Sequence, residues 1–302
     1  SLKRLATVSD FLENEALDTE EFYAKNVYRP EQVKKSREIY HSQTPIMEVI
    51  ALSKIYIDNS FFRKRTEVIA LNNLNFELYK GESLGIVGES GCGKSTLSKC
   101  LVQLEKQNEG SILYKGTNIK ELLSNAPLSY KKKVQMIFQD PASALNPKMR
   151  VGAILIEAMK VHRIESNHAE RHEKAVNLLE KVGMKAEHFN RYPHEFSGGQ
   201  KQRIGIARAL ALEPEIIICD ESVSALDVSI QAQVLNLLNN LKERFSLSYI
   251  FISHDLSVVK HFCDRIVVLN QGRIEETGFP EDLFDNAKSD YTRKLIEAIP
   301  GK

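Results

Sequence analysis

The stretch "GESGCGKST", residues 88–96, lies between the apolar run "LGIV" and the helix-like stretch "STLSKCLVQL". It matches the pattern G-x-x-x-x-G-K-[ST], and no other feature restricts the fold of this chain as strongly. Glycines let backbone N–H groups crowd around phosphate oxygens without Cβ clashes, and a helix start adds partial positive charge. Such a loop needs a buried strand before it and a helix after it, so the chain is expected to be α/β. Lys94 is positioned to reach β- and γ-phosphates, and the Ser95 hydroxyl to ligate Mg²⁺. Gly88, Glu89, Ser90, Gly91, Cys92, Gly93 and Thr96 complete the cradle.

The remaining strand signals agree with that class. "LGIVG", "VQMIFQ", "EIIICDE", "YIFISHD" and "RIVVLN" are short, continuous apolar runs, the pattern of a parallel sheet buried on both faces. Four of the five end in Gly88, Gln139, Asp220 with Glu221, and His254, so functional groups line the carboxyl rim where open parallel sheets bind ligands. "IMEVIALSKIYI" and "LNNLNFELYKGE" read instead as antiparallel strands. The second alternates, with Leu74, Phe76 and Leu78 on one face and Asn75, Glu77 and Tyr79 on the other. "GSILYKGTNI" reads as a short hairpin element. From Val151 to Val182 the apolar spacing is three and four, too long for a crossover helix, and this predicts an inserted helical subdomain over about residues 140–197. His168 and His172 stand four apart on it and are expected to be surface residues.

Asp220 and Glu221 end the run "IIIC", where folds of this kind keep a Mg²⁺-associated aspartate. A second acid there can polarise the water that attacks a γ-phosphate. With the phosphate loop upstream, these residues imply nucleoside triphosphate hydrolysis. No N-K-x-D guanine motif appears. A second glycine-rich stretch, "EFSGGQKQRIGIARAL" at residues 195–210, leaves two readings open on its residues alone. Ser197 is a good N-cap for a helix and nothing more, or the Ser197 hydroxyl and the N–H groups of Gly198 and Gly199 face outward as a second anion site.

"FSGGQKQRIGIARAL" closely resembles the signature of the ATP-binding cassette family, and the other landmarks follow in that family's order. The resemblance covers residues 46–302 and implies a P-loop core with a mostly parallel sheet, an antiparallel β subdomain and an inserted α-helical subdomain. It implies ATP and Mg²⁺ as cofactors, with Ser95, Gln139 and Asp220 toward the metal, Glu221 and His254 as catalytic groups beside Lys94 and Gln139, and Asp227 in the D-loop "SALD". Tyr56 stands where the family stacks adenine, with Phe61 and Phe62 as competitors. In this family two cassettes pack head to tail, so Ser197, Gly198, Gly199 and Gln200 would contact the ATP held by the partner. "QDPASALNPKMRVG", "RYPHEFSGGQKQRIGIARAL" and "YTRKLIEAIP" are similar to the ATPases of dipeptide, oligopeptide and nickel importers. That similarity implies a second ATPase subunit, two integral membrane permease subunits, an extracytoplasmic binding protein acting indirectly, and a place on the cytoplasmic face of the membrane. A soluble ATP-switched module is the alternative from another class, but it usually carries two cassettes or a long coiled coil. Many relatives bear a cysteine cluster near the C-terminus, and none is found here, so no iron–sulfur site is expected.

The balance of 41 Lys+Arg against 40 Asp+Glu gives no reason to expect nucleic-acid binding. Cys92, Cys100, Cys219 and Cys263 form no CxxC pair and are expected to be buried free thiols. Residues 1–30 lack the apolar run of a signal peptide, and no segment approaches the roughly 20 apolar residues of a membrane span. Residues 1–45 carry clustered acids and then bases, with a short polar helix expected after Pro30, and are expected to be an extension or tether. A C-terminal segment is expected over about 276–302.

Overall fold

The computed structural model describes residues 19–27, 43–58 and 66–299. Two sheets carry the fold. The first is antiparallel, in the order β2-β1-β4-β5, from β1 (Met47–Asp58), β2 (Thr66–Leu78), β4 (Glu109–Tyr114) and β5 (Thr117–Asn118). The second follows the order β10-β9-β3-β8-β7-β6. Its strands are β3 (Ser83–Val87), β6 (Val134–Ile137), β7 (Ile216–Asp220), β8 (Ser248–Ile252), β9 (Arg265–Asn270) and β10 (Arg273–Gly278). β6, β7, β8, β3 and β9 run parallel, and β10 closes the edge antiparallel to β9.

The continuous apolar runs have the burial expected of them: every residue of β3, β7 and β8 is buried. Alternate residues serve two different cores. Ile217, Cys219, Tyr249 and Phe251 face the helical side, while Ile216, Ile218, Ile250 and Ile252 pack with the antiparallel sheet. A strand with both faces covered gains nothing from polar alternation, which is why these runs read as uninterrupted. All four cysteines are buried and free.

In β2, Leu74, Phe76 and Leu78 are buried and Asn75 is exposed, as the alternation predicts. Tyr79 departs from it and is buried. It lies just past the strand, its N–H donates to the Glu82 carboxylate at 2.8 Å, and the Arg265 guanidinium sits 5.3 Å from its ring centroid. β4 and β5 form the expected hairpin across Lys115 and Gly116, both at positive φ, as a two-residue turn requires.

The insert consists mainly of the helices Val151–Val161 and His168–Lys181. It is tied to the helix Gly198–Leu210 by Arg203, which donates to the Val182 carbonyl at 2.8 Å. Arg208 of the same helix donates to the Ala144 carbonyl at the end of the short helix Pro141–Ala144. His168 and His172 are exposed, and no metal-holding cluster occurs among the described residues.

The N-terminal segment is more than a tether. Thr19–Asn26 is a helix packed on the helices Val228–Phe245 and Leu256–Phe262, with Phe22, Tyr23 and Val27 buried. The Tyr23 hydroxyl donates to the Gln231 side-chain oxygen, and Gln231 Nε2 donates to the Val223 carbonyl at 2.8 Å. The expected helix after Pro30 lies outside the described residues, as do Phe61 and Phe62. The C-terminal segment forms the helices Pro280–Asn286 and Asp290–Glu297.

Candidate nucleotide site

The phosphate loop joins β3 to the helix Lys94–Leu101, in the setting its sequence requires. Gly88 has φ 154° and lies so close to β9 that an added Cβ would stand 2.1 Å from the Leu269 carbonyl oxygen. The loop's far end abuts the antiparallel sheet, where a Cβ on Gly93 would lie 2.5 Å from the Ala70 carbonyl oxygen. Both walls are backbone and cannot move aside, so the loop is held from two sides. Lys94 is 4% exposed, and its ammonium donates to the carbonyls of Gly88 at 2.7 Å and Glu89 at 2.8 Å. A lysine held at the mouth of the loop by neutral carbonyls can turn to a triphosphate with little loss, because charged oxygens are the stronger acceptors.

Asp220, at the end of β7, is 7% exposed. Its Oδ2 accepts a hydrogen bond from Ser98 Oγ at 2.7 Å, while its Oδ1 is buried without a hydrogen-bond partner. Burial pushes this carboxyl above the usual aspartate range; Ser98 opposes that shift and the Glu221 charge adds to it. An orphaned carboxylate oxygen beside a phosphate loop is a costly arrangement unless a cation or water completes it. The oxygen donors expected at this place, from Ser95, Gln139 and Asp220, suit a hard divalent ion such as Mg²⁺.

Glu221 has φ 46°, a left-handed conformation uncommon for a non-glycine residue, and its N–H is anchored on the Ile252 carbonyl at 2.9 Å. The bend turns its side chain away from the sheet toward two other rim residues. Gln139 Nε2 donates to Glu221 Oε2 at 3.0 Å, and His254 Nδ1 lies 3.5 Å from the same oxygen. Three residues that stand 82 and 33 positions apart in sequence thus converge on one carboxylate oxygen because parallel strands end on one rim. For Gln139 this geometry presents the amide nitrogen to Glu221.

The second glycine-rich stretch opens the helix Gly198–Leu210 at an exposed position. Ser197 Oγ caps the helix, accepting from Gln200 N at 3.4 Å, while Gln200 Oε1 accepts from Ser197 N at 3.1 Å. This is a reciprocal capping box. Gly198 and Gly199 form the first helical residues, whose N–H groups have no partner within the helix. The two glycines lie against the loop after Glu221 and the helix Val228–Phe245: a Cβ on Gly198 would lie 3.6 Å from Leu226, and one on Gly199 would lie 2.6 Å from Ile230. Among the described residues, no hydrogen bond of Ser197–Gln200 reaches the phosphate loop. Asp227 caps the helix Val228–Phe245 through Ile230 N at 2.9 Å. Tyr56, on β1 opposite Val68, is 36% exposed with the Lys54 ammonium 5.0 Å from its ring centroid.

Two contacts around the phosphate loop escape a sequence reading. Ser98 lies one helical turn after Lys94, a spacing that could have marked it as sharing the loop's side of the helix. The bond between the Tyr291 hydroxyl and Glu89 N–H, at 3.1 Å, joins residues 202 positions apart and has no local signal.

The model of the ABC transporter family matches residues 71–224, which runs from β2 through the loop after Glu221. A dipeptide transport ATP-binding protein of Haemophilus influenzae is 46% identical over 258 residues, 85% of this chain and 79% of that protein. An oligopeptide transport ATP-binding protein of Bacillus subtilis is 48% identical over 246 residues, 81% of each. Among solved structures, a dimeric ATP-binding cassette in a post-hydrolysis state with ADP and Pi superposes with a TM-score of 0.68. It is 28% identical and covers 78% of this chain and 98% of its own. The chain therefore belongs to the ABC transporter family and is an ATPase of that family.

Proposed function

We propose that this protein is the ATP-hydrolysing subunit that energises an importer of oligopeptides or dipeptides. The observation that carries the reading is 46–48% identity, over more than four-fifths of the chain, to ATP-binding proteins of dipeptide and oligopeptide transport. In this reading the backbone of residues 88–96 and Lys94 hold the triphosphate, and Tyr56 stacks on adenine. Ser95, Gln139 and Asp220 would hold Mg²⁺, which supplies charge neutralisation at the β- and γ-phosphates. Glu221 Oε2 accepts a hydrogen bond from the water that attacks the γ-phosphorus as the bond to the bridging oxygen of ADP breaks. His254 and Gln139 orient that carboxylate, which their contacts with Oε2 support.

Hydrolysis at this site needs a partner cassette, whose Ser-Gly-Gly stretch completes the γ-phosphate shell, while Ser197–Gln200 serve the partner's ATP. The unpaired N–H groups at the start of the helix Gly198–Leu210 support that role. The helical insert, about residues 140–197 within a cassette of 46–302, is the face for two integral membrane subunits, with Gln139 at its hinge. These subunits, served by an extracytoplasmic solute-binding protein, place the chain on the cytoplasmic face of the membrane. No helix among the described residues is long and apolar enough to cross a bilayer itself. Uptake of labelled di- and oligopeptides by cells with and without the chain tests the cargo. Loss of peptide uptake on deletion is expected. Intact peptide uptake together with lost nickel-chelate uptake would overturn it.

A further inference from the structure

We propose that Tyr291, on the C-terminal helix Asp290–Glu297, is a positioning residue of the phosphate loop that fixes the peptide unit on which Lys94 is anchored. The inference rests on the assignment of residues 88–96 as the triphosphate cradle, and it adds a residue from outside the 71–224 family match. Gly88 and Glu89 share one planar amide. Its carbonyl accepts from Lys94 Nζ at 2.7 Å, and its N–H donates to Tyr291 Oη at 3.1 Å. Because the amide is rigid, a constraint on the N–H side sets the direction of the carbonyl on the other. Tyr291 and Lys94 therefore hold the same peptide from opposite ends, and Lys94 adds a second bond to the Glu89 carbonyl at 2.8 Å.

A positioning residue has to be held by something rigid, and Tyr291 is. Ser289 caps its helix, with Oγ accepting from Tyr291 N at 3.2 Å, and Ser289 Oγ donates to Glu275 at 2.7 Å. The Glu276 carboxylate of β10 accepts from Lys288 N at 2.9 Å and Ser289 N at 3.1 Å; burial pushes this carboxyl up, but those bonds with its other partners outweigh it and hold the group below its usual range. Ile296 and Ile299 bury the far end of the segment in the main core. β10 in turn is paired with β9, whose Leu269 carbonyl forms the wall behind Gly88. Beyond Leu269, Gly272 N–H donates to the Cys92 carbonyl at 2.9 Å. The C-terminal segment thus grips the loop at Glu89 and, through the β9–β10 turn, at Cys92. A contact that merely packed the helix would have no need of a phenol oxygen aimed at a backbone amide of an exposed residue.

The test uses the full chain with Tyr291→Phe, which keeps the ring and removes the acceptor, and Lys94→Ala as reference. Mg·ATP affinity by calorimetry should weaken roughly 2- to 10-fold in Tyr291→Phe, the worth of one neutral hydrogen bond, with the effect on KM larger than that on kcat. The thermal midpoint should stay close to that of the native chain. Residue-resolved hydrogen exchange should show the Glu89 amide protected in the native chain and faster in Tyr291→Phe. Unchanged affinity, or equal Glu89 exchange in the two proteins, overturns the inference. If Lys94→Ala also leaves affinity unchanged, the cradle assignment itself fails. If Lys94→Ala abolishes binding while Tyr291→Phe leaves it intact, only the role of Tyr291 falls.

Discussion

Gly198→Asp separates the two glycine-rich stretches in a way few substitutions could. An added Cβ at Gly198 meets only Leu226, at 3.6 Å, which is ordinary van der Waals contact, and the backbone there is helical. The capping box between Ser197 and Gln200 is untouched. A carboxylate in the first turn should even favour the helix by about 0.3–1 kcal/mol. The fold should therefore survive, with a thermal midpoint at or slightly above that of the native chain. The trans contact should not. One carboxylate charge about 4 Å from one phosphate charge, at an effective dielectric near 20, repels by about 4 kcal/mol, a loss of roughly 10³-fold in engagement. ATP binding to the separate chain should persist because residues 88–96 are unchanged, while ATP-driven pairing fails. The assay is a mixed dimer with one mutated signature and separately labelled nucleotide sites. The silenced site should be the one built on the other subunit's phosphate loop. Silencing of the site that contains the mutant's own Lys94 would mean that the two stretches act in cis, and the head-to-tail arrangement would be wrong.

Two further substitutions test the site and the N-terminal helix. Burial raises the Asp220 carboxyl, so the native state binds its proton more tightly than the unfolded chain does. Stability contributed by that proton is present below the ordinary aspartate value of 3.8 and is lost as pH rises through the raised native value. Asp220→Asn removes this loss, and above that window the nucleotide-free variant should melt about 2–4 °C higher than the native chain while losing Mg²⁺-dependent ATP affinity; an unchanged or lower melting point at neutral pH would contradict the orphaned-oxygen reading. Tyr23→Ala should cost about 2–4 kcal/mol in urea unfolding because it empties a buried aromatic site between two helices, and a change below about 0.5 kcal/mol would mean that the Thr19–Asn26 helix is not docked in solution.

What the sequence made legible follows from where the physics is local. The five parallel strands announce themselves because both faces are covered, and the rim residues follow because parallel strands end together. The hairpin at Lys115–Gly116 and the two-helix insert are equally local, set by turn chemistry and by a 3.6-residue period. The Thr19–Asn26 helix was hidden because Phe22 and Tyr23, with Val27 just past its end, are too few apolar residues within an acidic stretch to show a period. β10, "RIEETG", alternates between half-buried and exposed positions but is polar throughout most of its length, so its pairing with β9 is a tertiary fact. At the site, residue types and order marked Lys94, Asp220, Glu221 and His254. Sequence marked Ser197 as a cap, and its hydroxyl does accept from Gln200 N, but a cap and an anion contact ask for the same residue, so sequence alone could not separate the two.

Glu221→Gln separates hydrolysis, assigned to Glu221, from ATP binding, which the site should keep without that carboxylate. Gln139 and His254 would still have an oxygen to meet at that position, and the phosphate loop and Asp220 are unaltered. ATP turnover and nucleotide retention are measured side by side on the same preparation. Turnover should be lower by roughly 10²-fold or more with Mg·ATP affinity retained. Turnover within a few-fold of the native chain would contradict that assignment.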